Sequence, residues 1–311
     1  MSRYAILSDI HGNLEALQVV LADLPKRNVE AIWFLGDLVS YGPDPGECIR
    51  TLLGQQDEQQ SDVVMCRIQD TDDGDVLLPV RGVRGNNDDA ILRDGAVDPE
   101  HLVSDLRDRH RVVVDAQRQA RIEATGQSHR WTLEKLTPEE RHLLAKLALD
   151  ETTPLPVASA ALMHASPCDP TGREGNYLRT EADAEEAFVC DEKFGVGFFG
   201  HTHHAGVFRQ FTTARMYDNV EHIAFSHFAG DVQEFFLDGK RVLINPGSVG
   251  QPRDGDHRAA YAVYDTGGKV EFYRIEYPRD KTISKLESLR GKSTEQDSMV
   301  DVLVERLREA G

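Results

Sequence analysis

Long apolar runs are missing from this 311-residue sequence. No stretch approaches the roughly 20 consecutive apolar residues that a bilayer-spanning helix needs. The opening Met-Ser-Arg-Tyr-Ala-Ile-Leu-Ser-Asp has neither the apolar core nor the small-residue cleavage site of a signal peptide. Basic residues are also scarce: 35 Lys and Arg stand against 53 Asp and Glu, a formal net charge of −18. Proteins that grip long nucleic acids concentrate phosphate-neutralising cations, so this balance speaks against such a partner. A negative surface likewise repels anionic membranes and polyanions unless bound cations reverse the field locally. Cysteine is sparse as well. Cys48, Cys66, Cys168 and Cys190 are scattered without a C-x-x-C pair, which argues against a disulfide framework and for reduced thiols. A soluble, cytoplasmic chain with no membrane partner is expected.

Apolar residues nonetheless make up 40% of the chain, enough for a sizeable core. They fall in short runs, many of them ending in a polar or glycine-containing cluster. Residues 4–7 lead into Ser8-Asp9-Ile10-His11-Gly12, and residues 31–35 into Gly36-Asp37. Residues 76–83 lead into Arg84-Gly85-Asn86-Asn87-Asp88, 160–163 into His164-Ala165-Ser166-Pro167, and 196–199 into Gly200-His201-Thr202-His203. Their lengths and flanks predict buried strands. Between the first two, residues 13–24 carry Leu14, Leu17, Val20, Leu21 and Leu24 at helical spacing, which predicts a crossover helix. Strand, helix, strand with polar clusters at the strands' carboxyl ends is how α/β folds place sites. Residues 241–244, 259–264 and 269–275 read as further strands, antiparallel edges that complete a second sheet. The expected architecture is an α/β (α+β) sandwich of two packed mixed β-sheets flanked by helices.

The main domain is expected over residues 1–280. Within it, 54–74 is rich in Gln and Asp and reads as a loop or hairpin excursion. Residues 94–154 read as a mostly helical, cap-like segment. It has an N-cap at Thr137 followed by Pro138 and Glu140, and an apolar face at Leu143, Leu144 and Leu147. Residues 281–311 carry Ile283, Leu286 and Leu289, then Val300, Leu303, Val304 and Leu307, and predict an amphipathic helical tail.

Taken singly, none of the polar clusters decides a function. Asp9-x-His11 is commonly a strand-end turn, Gly36-Asp37 a turn, and Gly85-Asn86-Asn87-Asp88 a polar loop tolerant of positive φ. His164 alone reads as a satisfied core histidine, and His201-Thr202-His203-His204 as an exposed tract. Together they are more specific. Two Asp, one Asn and four His at strand carboxyl ends can converge on one sheet edge. Carboxylate and imidazole in combination suit Mn, Fe, Zn or Co, whereas Mg and Ca favour all-oxygen shells. Seven ligands are too many for one such ion but fit two that share a carboxylate, about 3.5–4 Å apart.

On these residues the sequence resembles the calcineurin-like metallophosphoesterases. The five motifs of that superfamily stand here in order as Asp9-Ile10-His11, Gly36-Asp37, Gly85-Asn86-Asn87-Asp88, His164 and Gly200-His201-Thr202-His203. The stretch Asn245-Pro246-Gly247-Ser248-Val249-Gly250-Gln251-Pro252-Arg253 is similar to the small bacterial and archaeal branch. The resemblance implies a dimetal hydrolase acting on phosphoesters by in-line attack of a metal-bridging hydroxide. It implies Asp9, His11 and His203 on one metal, Asn86, His164 and His201 on the other, and Asp37 bridging both. Asn87 and Asp88 fall where the family carries catalytic groups.

Two departures carry information. Relatives that act on phosphoproteins have Gly-Asp-x-Val-Asp-Arg-Gly, where here Tyr41 occupies the position of the phosphate-gripping Arg and cannot supply a bidentate clamp. Asn87 stands where many relatives have a His proposed as general acid. General acid catalysis contributes about 10²–10⁴-fold, so its absence favours diesters, anhydrides and activated monoesters. His204 is the nearest substitute proton donor in sequence, with His222 and His227 further off. Tyr41, Tyr177 and Arg253 are the candidate substrate contacts. The expected substrate is a small phosphorylated molecule, a nucleotide or dinucleotide among the options. The alternative is a weakly catalytic regulatory or scaffold module of the same fold, but such modules usually lose ligands and none is missing here.

Overall fold

A computed structural model describes residues 1–56, 63–70, 74–93, 116–148, 160–212, 218–224, 231–238 and 241–310. The chain begins as predicted. Strand β1 (Arg3–Leu7) is followed by helix α1 (Leu14–Asp23), which buries Leu17, Val20 and Leu21. The Asn13 side chain caps that helix by accepting from the Ala16 N–H at 3.2 Å. Strand β2 (Ala31–Phe34) then lies parallel to β1, with Tyr4 opposite Ala31. After α2 (Pro45–Leu53) come β3 (Gln55–Gln56), β4 (Val64–Asp70) and β5 (Gly74–Gly82). β4 pairs antiparallel with β5, and β5 runs parallel to β2. The 54–74 stretch is therefore a hairpin, and it widens the sheet instead of standing off from it. Its low apolar content has a simple cause: only one face is covered, by alternate residues Val64, Cys66 and Ile68.

Helices α3 (Asn86–Leu92), α4 (Ala116–Lys135) and α5 (Pro138–Leu144) follow. The Thr137 N-cap of α5 is confirmed by reciprocal bonds with Glu140, at 2.9 and 3.2 Å. Much of the predicted 94–154 segment, and His227, lie outside the described residues. The remaining elements are β6 (Ala160–Leu162), α6 (Glu181–Cys190), β7 (Val196–Phe198), β8 (Gly206–Thr212), β9 (Asp218–Ala224), β10 (Val232–Phe236), β11 (Arg241–Asn245), β12 (Ala259–Asp265) and β13 (Lys269–Ile275). Two helices end the chain, α7 (Arg279–Glu287) and α8 (Thr294–Glu309).

The strands form two mixed sheets, ordered β10-β13-β12-β1-β2-β5-β4-β3 and β6-β7-β11-β8-β9. They pack face to face through Ile6, Trp33 and Phe272 on one side and Phe198, Val207 and Ile244 on the other, with Trp33 and Phe198 in edge contact at 5.7 Å. Helices α1 and α2 cover the outer face of the large sheet, and Ala184, Ala187 and Phe188 of α6 cover that of the small one. The sandwich matches expectation, but two strands change place. β12 and β13 do not build the second sheet: β12 pairs antiparallel with β1, Tyr264 opposite Tyr4, and so extends the first. Sequence patterns set a strand's faces, and its neighbour is chosen by long-range packing.

Two further findings differ from the reading of the sequence. Cys168 and Cys190 are joined in a disulfide, which ties the loop after β6 to the end of α6, while Cys48 and Cys66 are buried free thiols. A separation of 22 residues carries no motif that could announce this pairing. The chain's end is also not a loose appendage: α7 and α8 pack with Tyr41 and Ala124 in one apolar cluster, and the Gly255 N–H donates to the Ala310 carbonyl at 2.9 Å. Among the described residues no helix is long and apolar enough to cross a membrane.

Candidate metal centre

Every predicted ligand follows the carboxyl end of a strand. Asp9 and His11 follow β1, Asp37 follows β2, Asn86 follows β5, His164 follows β6, and His201 and His203 follow β7. Five of these residues sit in the left-handed backbone region: Asp9 (φ 53°), His11 (49°), Asp37 (58°), His201 (63°) and His203 (59°). Such a conformation costs a non-glycine residue about 1–2 kcal/mol, and it persists where surrounding bonds over-determine it. Here the loops are laced together. Asp9 N–H donates to the Gly36 carbonyl at 3.0 Å, His11 N–H to Asp37 at 3.0 Å, and Gly250 N–H to Asp9 at 3.0 Å. Asn245 Nδ2 donates to the Gly200 carbonyl at 2.8 Å, and Ser248 Oγ to the Asp9 carbonyl at 2.8 Å. The closing Asn-Pro-Gly-Ser stretch thus braces two ligand loops. At Gly200 a Cβ would overlap Ser8 Oγ and Asp9 Oδ2, so the approach of the β1 and β7 loops requires glycine there.

The side chains converge in two buried groups, Asp9–His11–His203 and Asp37–His164–His201, the potential ligand atoms of each lying within 4.8 Å of one another. Their tautomers follow from outer partners. His11 Nδ1 faces the Val39 carbonyl at 3.1 Å, His203 Nδ1 the Gln251 carbonyl at 2.5 Å, and His164 Nδ1 the Leu35 carbonyl at 2.7 Å. A carbonyl accepts, so each Nδ1 carries the proton and Nε2 is the nitrogen turned inward, with a free lone pair in the neutral rings of His11 and His203. The inward partners are acceptors too. His11 Nε2 lies 3.2 Å from His203 Nε2, which lies 3.2 Å from Asp9 Oδ1. His164 Nε2 lies 3.1 Å from both Asn86 Oδ1 and His201 Nδ1. Asp9 Oδ1 and His201 Nε2 are enclosed without a hydrogen-bond partner. Lone pairs facing lone pairs in a buried space call for cations, and this donor set fits two divalent metals.

Asp37 stands between the groups. Its Oδ2 is 3.7 Å from His11 Nε2 and 3.3 Å from His164 Nε2. Burial opposes its charge, yet the surrounding His164, His11 and His201 hold its carboxyl well below the usual range. Burial pushes His11 down to about 3, and pushes His201 and His203 well below the ordinary histidine value. These three rings therefore stay neutral, the state a metal requires. At His164 burial is outweighed by Asp37, which raises the ring to about 9, so the charge that chiefly holds Asp37 down is that of His164, and a metal there would displace its Nε2 proton.

A sequence profile described as the calcineurin-like phosphoesterase superfamily domain matches residues 3–269. The chain belongs to that superfamily. An uncharacterized protein of Methanocaldococcus jannaschii is 28% identical over 290 residues, 92% of each chain. A crystal structure of a metallophosphoesterase from Sphaerobacter thermophilus superposes with a TM-score of 0.65 at 26% identity, covering 100% of this chain and 99% of that one. A hypothetical protein of Pyrococcus horikoshii OT3 shares the fold, with a TM-score of 0.62 at 18% identity and the same coverage.

Within this phosphoesterase fold the other predicted site residues divide. Asn87 is buried beside the ligands, but it faces Asp37: its N–H donates to Oδ1 at 2.9 Å and its Nδ2 to Oδ2 at 2.6 Å. The Asp88 carboxylate accepts four backbone N–H groups, from Asp37, Leu38, Val39 and Gly85, at 2.8–3.2 Å. It is consumed in shaping the Asp37 loop and is a positioning residue, not the catalytic group its motif position implied. Tyr41 is likewise packed in, its ring 4.5 Å from that of His11 and beneath the Arg306 guanidinium. Tyr177 stacks on His201 at 4.3 Å, and its own other neighbour is Arg179. His204 and Arg253 line an adjoining cavity, with His222. One buried neighbour had no signal in the sequence: His129 of α4, whose Nε2 lies 2.7 Å from Asn87 Oδ1. Only the fold brings a helix 42 residues away onto that amide.

Proposed function

We propose that the protein is a two-metal phosphoesterase for small phosphorylated substrates, nucleotides and dinucleotides among them, with Mn, Fe, Zn or Co in both groups. The observation that carries this reading is the pair of buried carboxylate–imidazole triads with Asp37 Oδ2 within 3.7 Å of His11 in one and 3.3 Å of His164 in the other. Asp9, His11 and His203 would hold one divalent cation and Asp37, Asn86, His164 and His201 the other, and the pair would supply Lewis-acid polarisation of a phosphoryl oxygen and activation of water as nucleophile at neutral pH. The chain's own residues do the rest. Asp37 and Asp9 fix the charge balance, and the carbonyls of Val39, Gln251 and Leu35 orient three imidazoles. Tyr177 stacks over His201 and walls the space beside it.

The leaving group receives little help. Both ends of the Asn87 amide are engaged, one on Asp37 and the other on His129. His204 has its Nδ1 on the Thr202 carbonyl at 2.6 Å, so it can give a proton only when its second nitrogen is protonated as well. Anhydrides and aryl diesters and monoesters, whose leaving groups depart without a proton, are accordingly the favoured substrates.

Metal analysis joined to a hydrolysis screen tests the reading. With Mn supplied, bis(p-nitrophenyl) phosphate should turn over and unactivated alkyl monoesters should not, and a chelator should abolish the activity. A protein that holds about two metals per chain yet hydrolyses no diester, anhydride or aryl ester would instead be a regulatory or scaffold module.

A further inference from the structure

A cavity of about 430 Å³ adjoins the metal centre. Its wall contains Arg121 of α4, Arg179 of the loop before α6, Arg253 of the loop after β11 and Arg306 of α8. No carboxylate lines it among the described residues, in a chain with 53 Asp and Glu. Several guanidinium groups elsewhere are ion-paired, as Arg173 is to Asp89, Arg258 to Asp256 and Arg274 to Asp254, and others such as Arg241 are held by backbone carbonyls. None of the four cavity arginines has a carboxylate within ion-pair distance among the described residues. Arg306 is the most exposed to question. It is only 8% solvent-accessible, its Nη1 is enclosed without an acceptor, and Arg253 Nε is enclosed and unpartnered too. Burial, with Arg253 and Arg121 close by, pushes Arg306 down to about 10.

Like charges gathered in a water-poor space without counter-charges are unfavourable, and a bound anion is what reverses the sign. The planar fork of Arg matches phosphoryl oxygens better than a point charge does. The cavity is also continuous with the chemistry. Thr202 and His204, which flank His203, form part of its wall, and the Arg253 N–H donates to the His203 carbonyl at 3.3 Å. Arg253 is further held by Gln251, whose Oε1 accepts from Nη2 at 2.9 Å and whose carbonyl orients His203. Beyond the arginines the wall turns flat and apolar, with His222 stacked on Phe208 at 4.3 Å.

We infer that this cavity holds a second phosphoryl group of the substrate, so that the enzyme's preferred class is small organic di- or polyphosphates whose scissile phosphorus lies at the metal centre. The assignment of class rests on the phosphoesterase reading, whereas the anion site itself stands on the arginines. Their helices explain why the chain's end folds back: α8 delivers Arg306 and α4 delivers Arg121.

The test has two arms. In the first, pyrophosphate is titrated calorimetrically into chelator-treated, metal-free full-length protein. Wild type should bind it, and Arg121→Gln and Arg306→Lys should each weaken binding about tenfold, the loss expected from one charge-assisted contact. Arg121 is only half-buried, so its variant reads out the site even where Arg306→Lys disturbs packing. In the second, kcat/KM with Mn is compared for a dinucleoside tetraphosphate and the matching dinucleoside monophosphate, and the ratio should fall about tenfold in Arg121→Gln. Absence of pyrophosphate binding to the wild type, or equal binding by all three proteins, would overturn the site. Arginine-dependent pyrophosphate binding with no turnover of either dinucleotide would keep the site and reject the phosphoesterase reading. Turnover with an unchanged ratio in Arg121→Gln would keep that reading and overturn the proposed substrate class.

Discussion

Asn87 holds both carboxylate oxygens of Asp37, one through its backbone N–H at 2.9 Å and the other through its side-chain amide at 2.6 Å. His129 in turn engages the amide oxygen at 2.7 Å, which fixes the amide's orientation. A residue that looked like a lost general acid is thus a clamp on the carboxylate between the two metal groups. Partners of this kind typically alter metal affinity by about 10–100-fold. Asn87→Ala should weaken binding of the first-row metals by that order, measured by calorimetry on the stripped protein. His129→Phe, which frees the amide without removing it, should have a smaller effect in the same direction. Unaltered affinity in Asn87→Ala would mean that Asp37 is held well enough by its own loop. Asn87→His should not restore a general acid through Asp88, whose carboxylate is bound to four N–H groups and has no oxygen free to align the imidazole.

Gly200→Ala should damage the site without touching a ligand. The added methyl would collide with Ser8 Oγ and Asp9 Oδ2; moving the first breaks its 2.6 Å bond to Asp9 Oδ2, and moving the second releases the His201 N–H that it accepts at 3.0 Å. Overpacking of this type costs about 1–3 kcal/mol. A lower melting temperature together with reduced metal content is the expected result, and a variant with wild-type values of both would show that the β1 and β7 loops have slack.

The ligand set was legible in the sequence because strand-end clusters combine short apolar runs with residue types that metals require. Six of the seven candidate residues gather in the two groups and Asn86 Oδ1 lies 3.1 Å from His164 Nε2, and the crossover helix and the capping box at Thr137 stand where their patterns put them. Other features left no such trace. The left-handed backbone at Asp9, His11, Asp37, His201 and His203 is enforced by cross-loop bonds, and none of these residue types demands it. The partner of β12 is decided by packing between sheets. Strands β9 and β10 are edge elements with partly covered faces, so their alternation is weak. Arg306 and Tyr41 are 265 positions apart in sequence, so no local pattern links them, although the guanidinium stands 5.1 Å above the ring.

Thiol counting tests the Cys168–Cys190 link. Under denaturing, non-reducing conditions the chain should show two reactive thiols, from Cys48 and Cys66, and four after reduction. Closing a loop of this size is worth about 3 kcal/mol, so the double Ser variant should unfold at lower urea. Four thiols without reductant would leave the loop after His164 to be held by Arg173, which grips Asp89 through two bonds at 2.7 and 2.8 Å.

Acid stability should report the Asp256–Arg258 pair. Burial opposes the Asp256 charge, but bonds from Arg258 at 2.7–3.2 Å dominate and hold its carboxyl at about 2. In the unfolded chain the group titrates near 3.9, so above about pH 4 the folded form alone gains from the pair. That gain disappears as pH falls from about 4 to 2, where the unfolded state takes up the proton first. Asp256→Asn should therefore be less stable than wild type at pH 7, by about 1.5 kcal/mol, and nearly equal to it at pH 2. Urea titrations of both proteins in chelator would check this, and a gap that stays constant with pH would show that the pair contributes nothing.

The sharing of Asp37 makes its removal different in kind from the loss of any imidazole. Its Oδ2 lies within 3.7 Å of His11 Nε2 in one group and 3.3 Å of His164 Nε2 in the other, while the inward Nε2 of His203 stands beside Asp9 and His11 of its own group. Asp37→Ala takes one negative charge from between two cations, and it leaves both Asn87 donors buried without an acceptor. Asp37→Asn keeps the shape and an acceptor oxygen but removes the charge. Both variants should lower metal content at the two sites together, from about two per chain to well under one. His203→Ala should instead retain about one, because Asn86, His164, His201 and Asp37 still surround the second position. Elemental analysis after dialysis against a fixed free-metal buffer separates the cases. Should Asp37→Asn keep both metals while His203→Ala loses both, the shared position would belong to the imidazoles, and Asp37 would be a ligand of one ion only.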